Sequence, residues 1–122
     1  VNGDSGTATY CGIDGISVCA KTGTTNENFD RWLCGFTPYY TSATWYGYDK
    51  GETIEFNNKN PAGLLWSSVM KKIHKNLSNK SFEKPKNILS FTICSNTGKK
   101  ANNYCVNIYT EYYLSGTEPR KL

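Results

Sequence analysis

Apolar and polar residues alternate over residues 15–23, with Ile16, Val18 and Ala20 set against Ser17, Cys19 and Lys21. A period of two predicts a strand with one buried face. Thr24 to Asn28 is polar and reads as a turn. Phe29 to Phe36 carries apolar residues on both faces, Phe29 and Leu33 against Trp32, Cys34 and Phe36. That pattern predicts a central strand buried on both sides. Pro38-Tyr39-Tyr40 turns the chain, and Ala43 to Tyr48 predicts a third strand. Short connections make the three an antiparallel meander. The period then changes. Asn60-Pro61 has the chemistry of a helix start. Leu65, Val69 and Ile73, with Trp66 and Met70, recur every four residues as a broad apolar stripe. Ser67, Ser68, Lys71, Lys72 and Lys75 form the expected solvated face. After about residue 80 the texture shifts again: Pro85 is a break, Ile88–Cys94 and Tyr104–Tyr113 read as strands, and Ser95-Asn96-Thr97-Gly98 as a turn. Residues 115–122 are polar and expected to fray.

These elements predict an α+β fold, an antiparallel sheet packed by a helix, over residues 1–80, with a small β-rich extension over 81–122. Trp32, Trp45 and Trp66 are assigned to core packing, Cys19 and Cys34 to small core positions, and His74, flanked by lysines, to the surface.

Composition adds a suspicion. Among 122 residues, apolar types counted with Gly and without Tyr make about 40%, below the ~45–50% usual for a globular domain. The core looks thin for a free-standing unit, so a missing half is expected. The start, Val1-Asn2-Gly3-Asp4, reads as an arbitrary cut. No run of about 18 apolar residues exists, so any membrane anchor is expected upstream. The net charge of +4 suits an anionic neighbour such as a cell wall. Nucleic-acid binding is not expected, because the basic stretch Lys71 to Lys86 has only Phe82 interleaved. Five cysteines without a C-x-x-C pair and a single His leave no zinc pattern, so neither metal nor cofactor is expected.

The chemistry-bearing stretch is Ala20-Lys21-Thr22-Gly23-Thr24-Thr25-Asn26, at the end of the first strand. It is followed by Asp30-Arg31-Trp32-Leu33-Cys34-Gly35-Phe36-Thr37-Pro38 and by Thr44-Trp45-Tyr46-Gly47-Tyr48-Asp49. In combination and spacing these segments resemble the penicillin-binding proteins, the serine D,D-transpeptidases of peptidoglycan. Pro61 to Met70 and Phe82 to Pro85 also look like the bifunctional class A branch. The resemblance covers nearly all of residues 6–119 and implies the C-terminal part of a transpeptidase domain. Family chemistry rests on S-x-x-K, S-x-N and K-T-G. By that resemblance Lys21 would hold the S-x-N serine, and Thr22 and Thr24 would bind a substrate or β-lactam carboxylate. The Thr24 N–H would be an oxyanion donor, and Gly23 would let the substrate backbone come close. The implied catalytic residues are Lys21 and Thr24; the implied substrate-binding residues are Lys21, Thr22, Gly23 and Thr24.

The other two motifs are missing. S-x-N does not occur, and the two S-x-x-K matches, Ser68 to Lys71 and Ser81 to Lys84, follow K-T-G instead of preceding it. The isolated chain is therefore expected to be inactive. Ala20 stands where the family usually has Gly, adding one methyl expected near the cleft. The resemblance implies a peptidoglycan stem peptide and β-lactams as partners, the missing upstream half of the same domain, and an upstream glycosyltransferase. It also implies a place at the outer face of a bacterial plasma membrane. Two rivals stand beside it. Gly15 to Thr22 is a near-miss to a phosphate-binding loop, but its interior, Ile-Ser-Val-Cys, prefers a strand. A non-catalytic wall-binding or interaction module is the alternative function. Finally, a hairpin would bring Cys94 and Cys105 toward cross-strand distance, and an export environment would permit a disulfide between them.

Overall fold

The alternation at residues 15–23 becomes β1 (Cys19–Thr24), which pairs antiparallel with β2 (Asp30–Phe36); β2 pairs with β3 (Thr41–Gly47). The sheet order is β1-β2-β3, the expected meander. The helix α1 (Pro61–His74) follows, and then β4 (Ile88–Cys94) and β5 (Ile108–Leu114), an antiparallel pair. This computed structural model describes residues 1, 3, 6–56 and 58–121. The chain divides into two compact units, Val1–Phe82 and Glu83–Leu122. The expectations attached to Asn2, Asp4 and Leu122 lie outside the described residues.

In the first unit α1 starts as its sequence dictates: the Asn60 side chain accepts from the Ala62 N–H at 2.9 Å, and Pro61 occupies the first turn. The helix lies on one face of the sheet. Its core contact is Trp66, whose ring lies against Gly35 of β2. A Cβ built on Gly35 would come 2.6 Å from Trp66 Cζ2 and 3.1 Å from the Ala20 Cβ. The indole N–H donates to the Ser42 carbonyl of β3 at 3.1 Å. Around it Ala8, Cys11, Val18, Leu33, Ala62 and Met70 complete the core.

Several sequence expectations need correction. One helix covers one face, so β2 is buried only through Arg31, Leu33 and Gly35. Trp32, Cys34 and Phe36 are exposed on the other side. Cys19 and Cys34 are exposed, and of the three tryptophans only Trp66 is buried; Trp32 and Trp45 remain about two-fifths exposed, at 41% and 43%. The helix is also rolled about its axis relative to the expected stripe. Ala62, Gly63, Trp66, Ser67, Met70 and His74 are buried, while Leu65, Val69 and Ile73 stay half-exposed on the flank. The roll is set by the segment ending in the 3-10 turn Thr9–Cys11. The Tyr10 carbonyl accepts from Ser67 Oγ at 3.0 Å, and the Cys11 thiol donates to the Gly63 carbonyl at 3.6 Å.

His74 is buried, not on the surface, and works as a latch. The Met70 carbonyl can only accept, so His74 Nδ1, 2.7 Å away, carries a proton. Nε2 lies 2.9 Å from Thr37 Oγ1, which itself accepts from the Tyr39 and Tyr40 N–H groups. The last turn of α1 is thereby tied to the β2–β3 turn, with the Tyr39 and Tyr40 rings edge-on to the imidazole.

In the second unit Ile93 and Cys94 are buried. The segment 95–98 turns as expected, with Gly98 N–H donating to Cys94 O at φ +68. The second strand begins at Ile108 rather than Tyr104, because residues 102–105 form a tight turn. There Tyr104 N–H and the Cys105 thiol both donate to Asn102 Oδ1. The expected frayed end is pinned up to Lys121: Lys100 N–H donates to Arg120 O, and Lys100 pairs with Glu118 at 3.4 Å. Cys94 and Cys105 stand as two free thiols. Thr97 first, and Cys105 next, pull the Cys94 thiol below its ordinary pKa.

Two predictions follow from this packing. Gly35→Ala places a methyl on the Trp66 ring and is expected to cost about 1–3 kcal/mol, the usual penalty for overpacking; urea unfolding of the chain measures it, and a change under about 0.5 kcal/mol would contradict the close approach. In the second unit, excess oxidised glutathione is expected to join Cys94 to Cys105. The two thiols give up two protons and two electrons, and the added disulfide is reduced to two thiols. Such a short loop is worth roughly 3 kcal/mol in the chain-entropy picture. Alkylation under denaturing conditions and peptide mapping should then find both residues protected; recovery of both as alkylated thiols removes the bridge.

Candidate functional site

β1 has a partner on one side only, so its other edge is free among the described residues. The Thr25 N–H donates to the Asp30 carbonyl. Because the bonds of an antiparallel ladder alternate, the N–H and C=O groups of Thr22 and Thr24 point away from β2, into the free edge. The side chains alternate as well. Lys21 and Gly23 share the open face with Cys34 and Trp32, their partners in the register; Thr22 and Thr24 share the helix-side face with Leu33 and Arg31. The four sequence-selected residues are thus brought to one edge but divided between two faces.

Lys21 reconnects them. Its ammonium bends over the edge and donates to the Thr22 carbonyl at 2.8 Å. The Thr22 hydroxyl lies 3.2 Å from Thr7 Oγ1, and Thr24 Oγ1 accepts from Arg31 Nη1 at 3.2 Å. The edge therefore offers an ammonium, two hydroxyls and an outward N–H within four residues. These are the donors a carboxylate or a developing oxyanion requires.

Gly23 also has a reason within the sheet itself. A Cβ there would lie 3.1 Å from the Cβ of Trp32, so the missing side chain makes room for the indole across the ladder. The Ala20 methyl shares the helix-side face with Gly35 and packs on the core.

Sequence reading missed the support beneath this edge. Arg31 is 7% exposed; besides Thr24 it donates from Nη2 to the Ile54 carbonyl at 3.2 Å and lies 4.5 Å from the centre of the Phe56 ring. Asp30 takes the neighbouring threonine, with Thr25 Oγ1 donating to Oδ2 at 3.1 Å and Trp45 Nε1 to Oδ1 at 2.7 Å. The signal available was the pair of charges, Asp30-Arg31, inside an otherwise apolar strand pattern. The turn between the strands is held open by Glu27 and Asn28 at φ 59 and 62. Its carbonyls are anchored by Thr53 Oγ1 and the Ile54 N–H.

The open face beside Lys21 carries a hollow of about 600 Å³ lined by Cys19, Lys21, Cys34, Phe36, Thr41 and Ala43 among others. Ser68 and Ser81, the serines of the two S-x-x-K matches, are exposed; Ser68 lies on the outer side of α1 and Ser81 beyond its end. No group of three or more potential metal ligands gathers among the described residues.

Comparison with known proteins gives a consistent picture. Residues 84–122 match the family described as penicillin-binding protein 1A, C-terminal domain. The chain is 31% identical over 122 residues to penicillin-binding protein 1A of Clostridium botulinum, covering 95% of the chain and 15% of that protein. It is 38% identical over 109 residues to penicillin-binding protein 1A of Clostridium tetani, covering 84% of the chain and 14% of the relative. Penicillin-binding protein 2D of Bacillus subtilis is 32% identical over 114 residues, 93% of the chain and 15% of the relative. The chain thus spans only about a seventh of the length of these relatives. The fold superimposes on the crystal structure of penicillin-binding protein 1A from Haemophilus influenzae with a TM-score of 0.73, at 24% identity, over 95% of the chain and 17% of that structure. The chain is thus similar over nearly its whole length to penicillin-binding protein 1A relatives, and its residues 84–122 match the C-terminal domain of that family.

Proposed function

We propose that this chain supplies the K-T-G wall of the active site of a peptidoglycan D,D-transpeptidase, and that the nucleophile comes from a part of the same protein outside this stretch. The observation that carries the reading is the free edge of β1, along which Lys21, the Thr22 and Thr24 hydroxyls and the outward Thr24 N–H are set within four residues. A peptide ending in a carboxylate can add to that edge as a further strand. In doing so it meets two hydroxyl donors and a nearby cation. The Thr24 N–H then lies where a tetrahedral oxyanion would need a donor.

The chemistry follows from these groups. A serine of an S-x-x-K motif attacks the carbonyl of the penultimate D-Ala of a stem peptide, or of a β-lactam, and forms an ester; D-Ala leaves, or the lactam ring opens. An amine of a second stem peptide then takes the acyl group and frees the serine. Lys21 holds the cleft electropositive and, through the S-x-N serine, orders its other wall. The parent carries a glycosyltransferase domain and works at the outer face of the bacterial plasma membrane, anchored outside this stretch. Among the described residues no helix is long and apolar enough to cross a membrane.

The partner half of the domain has two surfaces to meet. One is the open sheet face with Trp32, Phe36 and Trp45, and the other is the outer edge of β3, unpaired among the described residues. An apolar face of that kind is what a sheet shows when the rest of its layer is elsewhere in the polypeptide.

Labelling of the full-length protein with a fluorescent penicillin tests the reading. Lys21→Ala is expected to slow acylation by at least about 100-fold. Its effect on stability should stay within about 1 kcal/mol, since the ammonium is on the surface; acylation at the normal rate would reduce Lys21 to an ordinary surface lysine. The 122-residue chain alone, incubated with benzylpenicillin, should keep its intact mass. A covalent adduct on Ser68 or Ser81 would place the nucleophile inside this stretch and overturn the proposal.

A further inference from the structure

We infer that Arg31 is a positioning residue for the carboxylate-binding edge: its buried guanidinium fixes Thr24 so that the threonine hydroxyl serves as a donor at the free edge. The inference rests on the proposed transpeptidase reading and adds to it a residue outside the three motifs.

The argument starts from hydrogen-bond arithmetic. A guanidinium only donates, so the 3.2 Å contact from Arg31 Nη1 makes Thr24 Oγ1 the acceptor. The hydroxyl has one proton, which cannot point back at Arg31 and is left to turn toward another acceptor. Left alone, a threonine hydroxyl rotates and offers either a proton or a lone pair. Held by Arg31, it offers its proton, which is what an anionic ligand requires. Because a guanidinium carries donors and no acceptor, this polarity is set by the contact itself.

The environment of Arg31 matches such a task better than a purely structural one. It is 7% exposed and has no carboxylate within ion-pair distance among the described residues. Its Nε is buried with no hydrogen-bond partner among the described residues. A buried charge in that condition costs stability that a Met or Leu of similar volume would not. Its geometry is nonetheless tightly fixed. Phe56 lies over one face at 4.5 Å, Nη2 is held by Ile54 O, and the backbone sits opposite Thr24 in the ladder. The Ile54 N–H is in turn held by Asn28 O, at the turn that follows the K-T-G strand. The guanidinium is thus aimed from a rigid mount at a single hydroxyl of the edge.

The test compares Arg31→Met and Arg31→Lys with Thr24→Val in the full-length protein. The readout is the second-order rate of acylation by benzylpenicillin and by its uncharged methyl ester. Arg31→Met is expected to slow benzylpenicillin about tenfold and the ester less than twofold. Thr24→Val should show the same selectivity, and the double variant no further loss, since both changes remove one interaction. Arg31→Lys, which keeps the charge but cannot span Thr24 and Ile54 together, should fall between wild type and Arg31→Met. It also serves if the Met variant folds poorly, as judged by thermal unfolding. Equal slowing of both ligands by the Arg31 variants, no slowing at all, or losses that add to that of Thr24→Val would each overturn the inference. If Lys21→Ala and Thr24→Val are themselves without effect, the transpeptidase reading of the edge falls, and the inference with it. If they act while the Arg31 variants do not, only the inference falls.

Discussion

The position of Trp66 under Gly35 governs the first unit. An indole can approach a sheet this closely only where one residue lacks a side chain, and that residue, Gly35, lies in the middle strand of three. Once the ring is seated and its N–H satisfied by Ser42 O, the distance and tilt of the helix against β2 and β3 are fixed. The His74–Thr37 contact secures the other end. Neither contact touches the K-T-G edge, yet both hold β2 still, and β2 is the platform from which Asp30 and Arg31 reach the threonines.

Much of this was legible in the sequence. Period-two alternation located β1, short polar links gave the meander, and Asn60-Pro61 marked the helix start to the residue. These signals are local, and the structure honours them because the contacts involved are mostly between neighbours in the chain. The family resemblance was legible too, because Lys21-Thr22-Gly23-Thr24 arrives with its two aromatic followers at fixed spacing.

What was not legible depended on partners beyond the pattern. An apolar residue in a strand reads as buried, but burial requires something to cover it. With one helix available, Trp32, Cys34 and Phe36 stay open. The roll of α1 was hidden for a related reason: Ser67 and His74 are polar and look solvated, yet each finds a backbone carbonyl inside, and their bonds pull the helix round. That Gly23 also makes room for Trp32 shows only once the ladder pairs them. Arg31 was passed over because a charge in a strand looks like surface; only the three-dimensional contact with Thr24 reveals its direction.

The alternation of faces along β1 makes this edge sensitive to phase. Lys21 lies on one side of the sheet and the two threonines on the other, so their relation is set by the pairing of Thr24 with Arg31. A one-residue slip would do more than shift the motif along the edge. It would exchange the sides, sending the ammonium toward the core and the hydroxyls to the apolar face. Most strands lose packing when they slip; this one would also have its chemistry turned inside out. The Asp30-Arg31 pair, gripping Thr25 and Thr24 in turn, therefore acts as a register pin as much as a set of hydrogen bonds.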